Sequence, residues 1–234
     1  MLRFFENIMY NCTVRILFFP LEHLMTELII MRKRIDVDAS PILYNRPLSQ
    51  ESFQEDWEVR NARWHYQDGA FWGENPEPAP GVIFSRRAFP GDVMVEFYAQ
   101  TVLPSTHDID VMWNMSWDES RNQRGVSYVA GMMGWWNGNV GIERSPEYTM
   151  IATTPCPWFE PAREYFIQAG SVEGHCFIFV DGVLRLELTD PNPIDSTLHN
   201  RIGFEAYQSK IKIRDVVVRQ IVWKEGRLSY PVEF

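Results

Sequence analysis

HCFIFVDGVLRLELTD, residues 175–190, reads as two strands and a turn. Cys176, Ile178 and Val180 alternate with Phe177, Phe179 and Asp181, and beyond Asp181-Gly182 the residues Leu184, Leu186 and Leu188 alternate with Arg185, Glu187 and Thr189. A period of two is the side-chain period of a β-strand. Asp-Gly suits a two-residue type I′ turn, because both central residues take positive φ. The second strand has one leucine face and one polar face, which fits a sheet covered on one side. The first is apolar on both faces and is expected deeper in the sheet or under a loop.

The same signals extend outward on both sides. In Asp92–Val102, Val93, Val95, Phe97 and Ala99 share one face and Met94, Glu96, Tyr98 and Gln100 the other. In Ile109–Trp117, Ile109, Val111, Trp113 and Met115 alternate with Asp110, Met112, Asn114 and Ser116. Short strands are predicted over 57–61, 63–67 and 70–73, with Asp68-Gly69 a second hairpin turn. Others are predicted over 82–85, 126–133, 140–144, 164–171, 201–208 and 210–224. Gly131 is small enough to let a ligand or backbone approach. One helical turn is expected at 49–53. The stretch 145–161 holds four prolines and reads as a long irregular loop, and 118–125 reads as a polar loop. About a dozen strands with turns between them predict an all-β, antiparallel two-sheet jelly-roll sandwich. Residues 39–225 are expected to form that domain and 226–234 a C-terminal tail.

Residues 1–38 read differently, as an N-terminal arm or the product of an early start codon. Leu21–Arg34 is expected to form an amphipathic helix with Leu24, Leu28 and Met31 on one face. The longest apolar run there, Ile16–Leu21, contains Pro20 and is too short to span a membrane. It also lacks a clean export signal, so the expected location is the cytoplasm.

The chain has 234 residues, is 45% hydrophobic and 23% charged, and carries a net charge of -9. That composition excludes disorder and gives nucleic acid no basic face. The three cysteines, Cys12, Cys156 and Cys176, form no metal-binding spacing and at most one disulfide. Aromatic residues make up 14% of the chain. They fill a sandwich core or stack against sugar rings, and both readings stand.

EDWEVRNARWHYQDGAFWG (55–73), FPGDVMVEFYAQ (89–100), FIFVDGVLRLELTDPNP (177–193) and RIGFEAYQSKIKIRDVVVRQI (201–221) together resemble concanavalin A-like jelly rolls of bacterial sugar metabolism. The combination is similar to 3-keto-disaccharide hydrolase-like domains. It is closer still to an uncharacterised bacterial family found with genes for pectin and rhamnogalacturonan breakdown. The resemblance implies the jelly-roll fold, and a protein acting on a pectic or uronate-containing oligosaccharide as a glycoside hydrolase or polysaccharide lyase. The hydrolase-like group carries a polar or His residue in the strand after R-I-G-x; here that strand offers Glu205 and Tyr207.

Alternation then sorts the candidates. Glu96, Asp110 and Glu205 are expected in a groove on the concave sheet as catalytic carboxylates, one acting as acid and another as base or nucleophile. Tyr98, Asn114 and Tyr207 are expected beside them as substrate contacts. Trp135, Trp136 and Asn137, with Arg144, form a candidate sugar platform, in which an indole stacks on the ring and Arg144 pairs with a uronate carboxylate. Tyr148 and Trp158 are placed to close over the groove. No metal site or cofactor is assigned, although His107, Asp108 and Asp110 suggest a structural Ca²⁺. Two readings without catalysis stand beside this one: a lectin-like carbohydrate-binding module, and a structural homodimer unit joined through its aromatic patch. No membrane partner is expected.

Overall fold

The computed structural model describes residues 26–134 and 138–226. In chain order the elements are β1 (Glu27–Ile30), β2 (Lys33–Asp36), β3 (Ile42–Tyr44), α1 (Gln50–Asp56), β4 (Trp57–Arg60), β5 (Arg63–Gln67), β6 (Ala70–Asn75), β7 (Gly81–Ser85), β8 (Val93–Thr101) and β9 (Ile109–Met115). Then come β10 (Trp117–Asp118), β11 (Gln123–Arg124), β12 (Ser127–Met132), β13 (Asn139–Ser145), β14 (Thr149–Pro155), β15 (Tyr165–Val172), β16 (His175–Val180), β17 (Val183–Thr189), β18 (Arg201–Ala206), β19 (Ser209–Gln220) and β20 (Trp223–Glu225).

Two antiparallel sheets form the sandwich. One has seven strands in the order β14-β13-β12-β9-β18-β7-β4; the other has eight, seven of them in the order β17-β16-β15-β8-β19-β6-β5 and the eighth, β3, paired with β19. This is the all-β jelly roll that the alternating strands predict. Between the sheets, Val95, Phe97, Ile178 and Ile213 of the eight-stranded sheet meet Val111, Trp113, Tyr128 and Phe204 of the seven-stranded one, all of them buried. Trp113 Nε1 donates to Ser171 Oγ at 3.0 Å and ties the two layers together.

The β16–β17 hairpin turns at Asp181-Gly182 with φ of 52° and 74°. Its leucine face is split by a bulge. Ile178 pairs with Leu186 and Phe179 with Leu184, so Arg185 is the extra residue. Leu186 and Leu188 therefore reach the central core, while Leu184 turns to the opposite face beside Phe179.

That opposite face explains the doubly apolar β16. The strands β1, β2 and β20 form a third small sheet, which packs Leu28, Ile30 and Ile35 against Met94, Phe177 and Phe179. A helix over 21–34 is thus corrected. Residues 21–25 lie outside the described residues, and 27–36 form a β-hairpin whose buried Leu28 and Ile30 alternate with exposed Ile29 and Met31. The segment is a cover for the eight-stranded sheet. Leu28→Ala is expected to lower stability by about 2–5 kcal/mol in urea unfolding; a loss near zero would mean that this layer is not packed.

Three further differences concern the other sheet. The expected loop over 145–161 contains a real edge strand, β14, mostly half-exposed and ending at Pro155, a residue tolerated at sheet edges. The loop 118–125 contains the short β10–β11 pair. In β9, Trp113 and Asn114 together oppose the single Ile202 of β18, and Asn114 takes φ 46°. This bulge reverses the alternation, so Met115 leaves the central core and joins Val82, Phe84, Met112 and Val129 on the outer face.

Candidate functional site

The outer face of the seven-stranded sheet is half covered. Trp117, at the start of the β10–β11 hairpin, stacks on Phe84 at 5.8 Å over the apolar patch of Val82, Met112, Met115 and Val129. Arg60 bonds Glu119 at 3.0 Å, and Asn61 Nδ2 donates to the Asn122 carbonyl, pinning the hairpin to β4 and the turn after it. Arg124, paired with Trp117 across the hairpin, is delivered onto the uncovered half.

There the register brings the carboxyls together. Glu205 of β18 lies directly opposite Asp110 of β9. Asp110 lies opposite Gly131 of β12, and Gly131 opposite Gly141 of β13. The row therefore runs from two carboxyls to two positions with no side chain. Above it lies a cleft of about 590 Å³. Its floor and sides carry Asp108, Asp110, Glu143 and Glu205; Tyr148, Tyr207 and the loop Pro78–Pro80 complete the wall.

Arg124 organises the acids. Its guanidinium is buried, with Nη1 donating to Glu205 Oε2 at 2.6 Å, Nη2 bonding Glu143, and Nε donating to Ser145 Oγ at 3.0 Å. The Tyr148 ring lies 4.8 Å from the guanidinium carbon. Asp108 Oδ2 accepts the Tyr207 backbone N–H at 2.7 Å and the Ser209 hydroxyl at 3.3 Å. Gly134 makes room for it, since a Cβ there would lie 2.3 Å from Asp108 Oδ1. Asp110 is 2% exposed, and its Oδ1 has no hydrogen-bond partner among the described residues.

Like charges directly opposite on a sheet are unfavourable, and burial adds to the cost. Burial, then the neighbouring carboxylates Asp108, Glu205 and Glu143, hold the Asp110 carboxyl well above the ordinary range; Arg124 opposes them. Burial and the charge of Glu205 push Asp108 up to about 7. Burial also raises Glu205, but contact with Arg124 pulls in the other direction. A proton in this cluster therefore belongs to the two aspartates before it belongs to Glu205. Burial works against the charge on Arg124, but Glu205 and Glu143 outweigh it, so the guanidinium stays charged.

Several expected site residues are elsewhere. Glu96 and Tyr98 lie on β8, in the other sheet, because the chain changes sheets between β8 and β9. Glu96 accepts from Gln168 Nε2 at 2.8 Å and Arg219 Nε at 2.6 Å. Tyr98 carries Arg214 over its ring at 4.0 Å. Both face away from the cleft, on the opposite side of the sandwich. Arg144 points to the sheet edge, bonding Asp190 Oδ2 at 2.9 Å and the Asn192 carbonyl. Asn114 is buried in the β9 bulge and does not line the cleft. Trp135, Trp136 and Asn137, the expected sugar platform, lie outside the described residues. Trp158 is held under Arg185 at 3.9 Å, whereas Tyr148 does reach the cleft.

Asp110, Glu205 and Tyr207 therefore share the cleft, together with Asp108, Glu143 and Arg124. Glu143 was legible, since it alternates with Val140 and Ile142. Arg124 carried no such signal, because its strand is two residues long. Among the described residues no group of three or more His, Cys, Asp or Glu is placed to hold a metal ion. Nor is any helix among them long and apolar enough to cross a membrane.

No family model and no curated protein matches this chain. Solved structures do. A Bacillus subtilis protein of unknown function with a galectin-like fold matches at 16% identity and TM-score 0.64, over 77% of this chain and 96% of its own. The carbohydrate-binding module CBM66 from Bacillus subtilis matches at 14% and 0.58, over 70% and 95%. The exoplasmic/lumenal domain of VIP36, in its Ca²⁺- and mannose-bound form, matches at 12% and 0.54, over 84% and 100%. What the chain shares with them is the fold: it is a galectin-like β-sandwich jelly roll.

Proposed function

We propose that the protein binds an oligosaccharide in the acid-lined cleft and that Asp110 and Glu205 are the acid–base pair that cleaves it. The observation that carries this reading is their direct cross-strand opposition in an open cleft. Burial and like charge favour the proton on Asp110, while burial also raises Glu205 but the contact with Arg124 opposes that and favours its anion. Carboxyls driven apart in this way are suited to separate acid and base roles. The protonated Asp110 would give its proton to the glycosidic oxygen, and Glu205 would act on the other side of the scissile bond. Gly131 and Gly141 continue the row beyond Asp110 without side chains. The jelly-roll neighbours that bind sugars support a saccharide ligand, and the resemblance to the pectin-associated family supports a plant-type one.

A second reading, a binding module without catalysis, is favoured by one observation. Arg124 draws both glutamates into a fixed cluster, which restrains a nucleophile. Reducing-end release from a panel of plant oligosaccharides separates the two. The hydrolase reading predicts turnover that falls about 10²–10⁴-fold in Asp110→Asn, with binding retained. Binding without turnover in the wild type would leave the module.

A further inference from the structure

We propose that the sugar unit seated over Asp110 and Glu205 is uncharged, so that the cleft accepts neutral saccharides and turns uronates away. This inference rests on the saccharide reading above and narrows its substrate class.

Four carboxyl side chains line the cleft, and Arg124 is the only cation among its described lining residues. That guanidinium already donates to Glu205, Glu143 and Ser145. It has little left for a ligand carboxylate. Arg144, the residue expected to meet a uronate, is held by Asp190 and the Asn192 carbonyl at the sheet edge. A uronate entering the cleft would bring a negative charge beside Glu143 and Glu205, which already share the one guanidinium between them. In a partly desolvated site that repulsion is far stronger than in water.

The hydrogen-bonding inventory points the same way. Asp110 Oδ1 is buried and lacks a donor among the described residues. A buried polar atom without a partner is costly, and a ligand hydroxyl, which both donates and accepts, removes the cost whichever oxygen of Asp110 carries the proton. Sugar hydroxyls are donors; a carboxylate is an acceptor only. The cleft thus suits hydroxyls and, among its described residues, offers an anion no cation that is not already engaged.

The test is a carbohydrate array in which oligogalacturonides stand beside the same oligosaccharides with each C6 carboxylate reduced to the alcohol, together with unrelated neutral plant oligosaccharides. The wild-type chain is expected to bind neutral members at least tenfold more tightly than their uronate counterparts. In Glu143→Gln, which removes one cleft anion and loosens the hold on Arg124, this ratio should fall at least threefold, with unfolding curves confirming that the variant is folded. Equal or tighter binding of the uronates would overturn the inference and leave the saccharide reading standing. No binding to any member of the array would remove both.

Discussion

Arg124→Met is expected to lower the folding free energy by about 3–5 kcal/mol at neutral pH, because it leaves buried carboxylates without their cation. Arg124 holds Glu205 and Glu143 with a guanidinium almost sealed from water. The three charged groups lie on β11, β13 and β18, so the loss would be felt across the sheet and not only in the hairpin. The same variant should lose less stability at pH 5 than at pH 8, because protonation relieves the abandoned carboxyls. Replacing the glutamates as well, in Arg124→Met/Glu143→Gln/Glu205→Gln, should recover most of the loss, since removing a whole buried ion cluster is often nearly neutral. Urea unfolding of the single and triple variants measures both effects. A single variant within about 1 kcal/mol of wild type, against the penalty expected for an abandoned buried charge, would show that the cluster does not depend on its arginine.

The second large effect is in the pH dependence of stability. Asp108 and Asp110 titrate above their unfolded values, Asp108 at about 7, against about 3.9 for an aspartate in an unfolded chain. Between these values the folded state holds more protons than the unfolded one, so stability falls as pH rises. The contribution is fully present below about pH 4 and is lost as pH climbs through about 7. Glu205, also raised, acts in the same direction. Glu164, lowered by its bond to Arg214, Asp118, lowered by Ser120, and Asp195, lowered by Thr197, act oppositely and only at more acid pH. The expected profile has its maximum in mild acid and declines toward pH 8. Asp110→Asn should flatten that decline, because it removes one of the two titrating carboxyls. Thermal unfolding across pH 4–8 gives the profile; a wild-type curve that rises toward pH 8 would contradict the assignment of protons to this pair.

Much of this was legible in the chain. The Asp-Gly turns at 68–69 and 181–182 and the alternation of β8 and β9 set the fold class, because strand period and turn chemistry are local properties. A shared groove for Asp110 and Glu205 was expected from their outward faces, but their direct cross-strand pairing was not. What alternation cannot show is which sheet a strand joins, and Glu96 falls outside the cleft for that reason: its face is outward, but outward on the other layer. Nor can alternation show a bulge. Extra residues at Asn114 and Arg185, and another irregularity near Asp215 in β19, each reverse the phase of the strand beyond them and send Met115 and Leu184 to unexpected faces. The N-terminal cover was hidden because Leu24, Leu28 and Met31 fit a helical stripe as well as Leu28 and Ile30 fit a strand. Arg124 was hidden because its role depends on two glutamates distant in sequence.

Ligand is expected on the outer face of the seven-stranded sheet, over the Glu205–Asp110–Gly131–Gly141 row. Backbone amide NMR during titration with a neutral oligosaccharide that binds on the array locates it. Shifts concentrated at Asp110, Gly131, Gly141, Glu205 and Tyr207 are the predicted result. Shifts centred on Glu96 and Tyr98 of the eight-stranded sheet, with the row unperturbed, would contradict it.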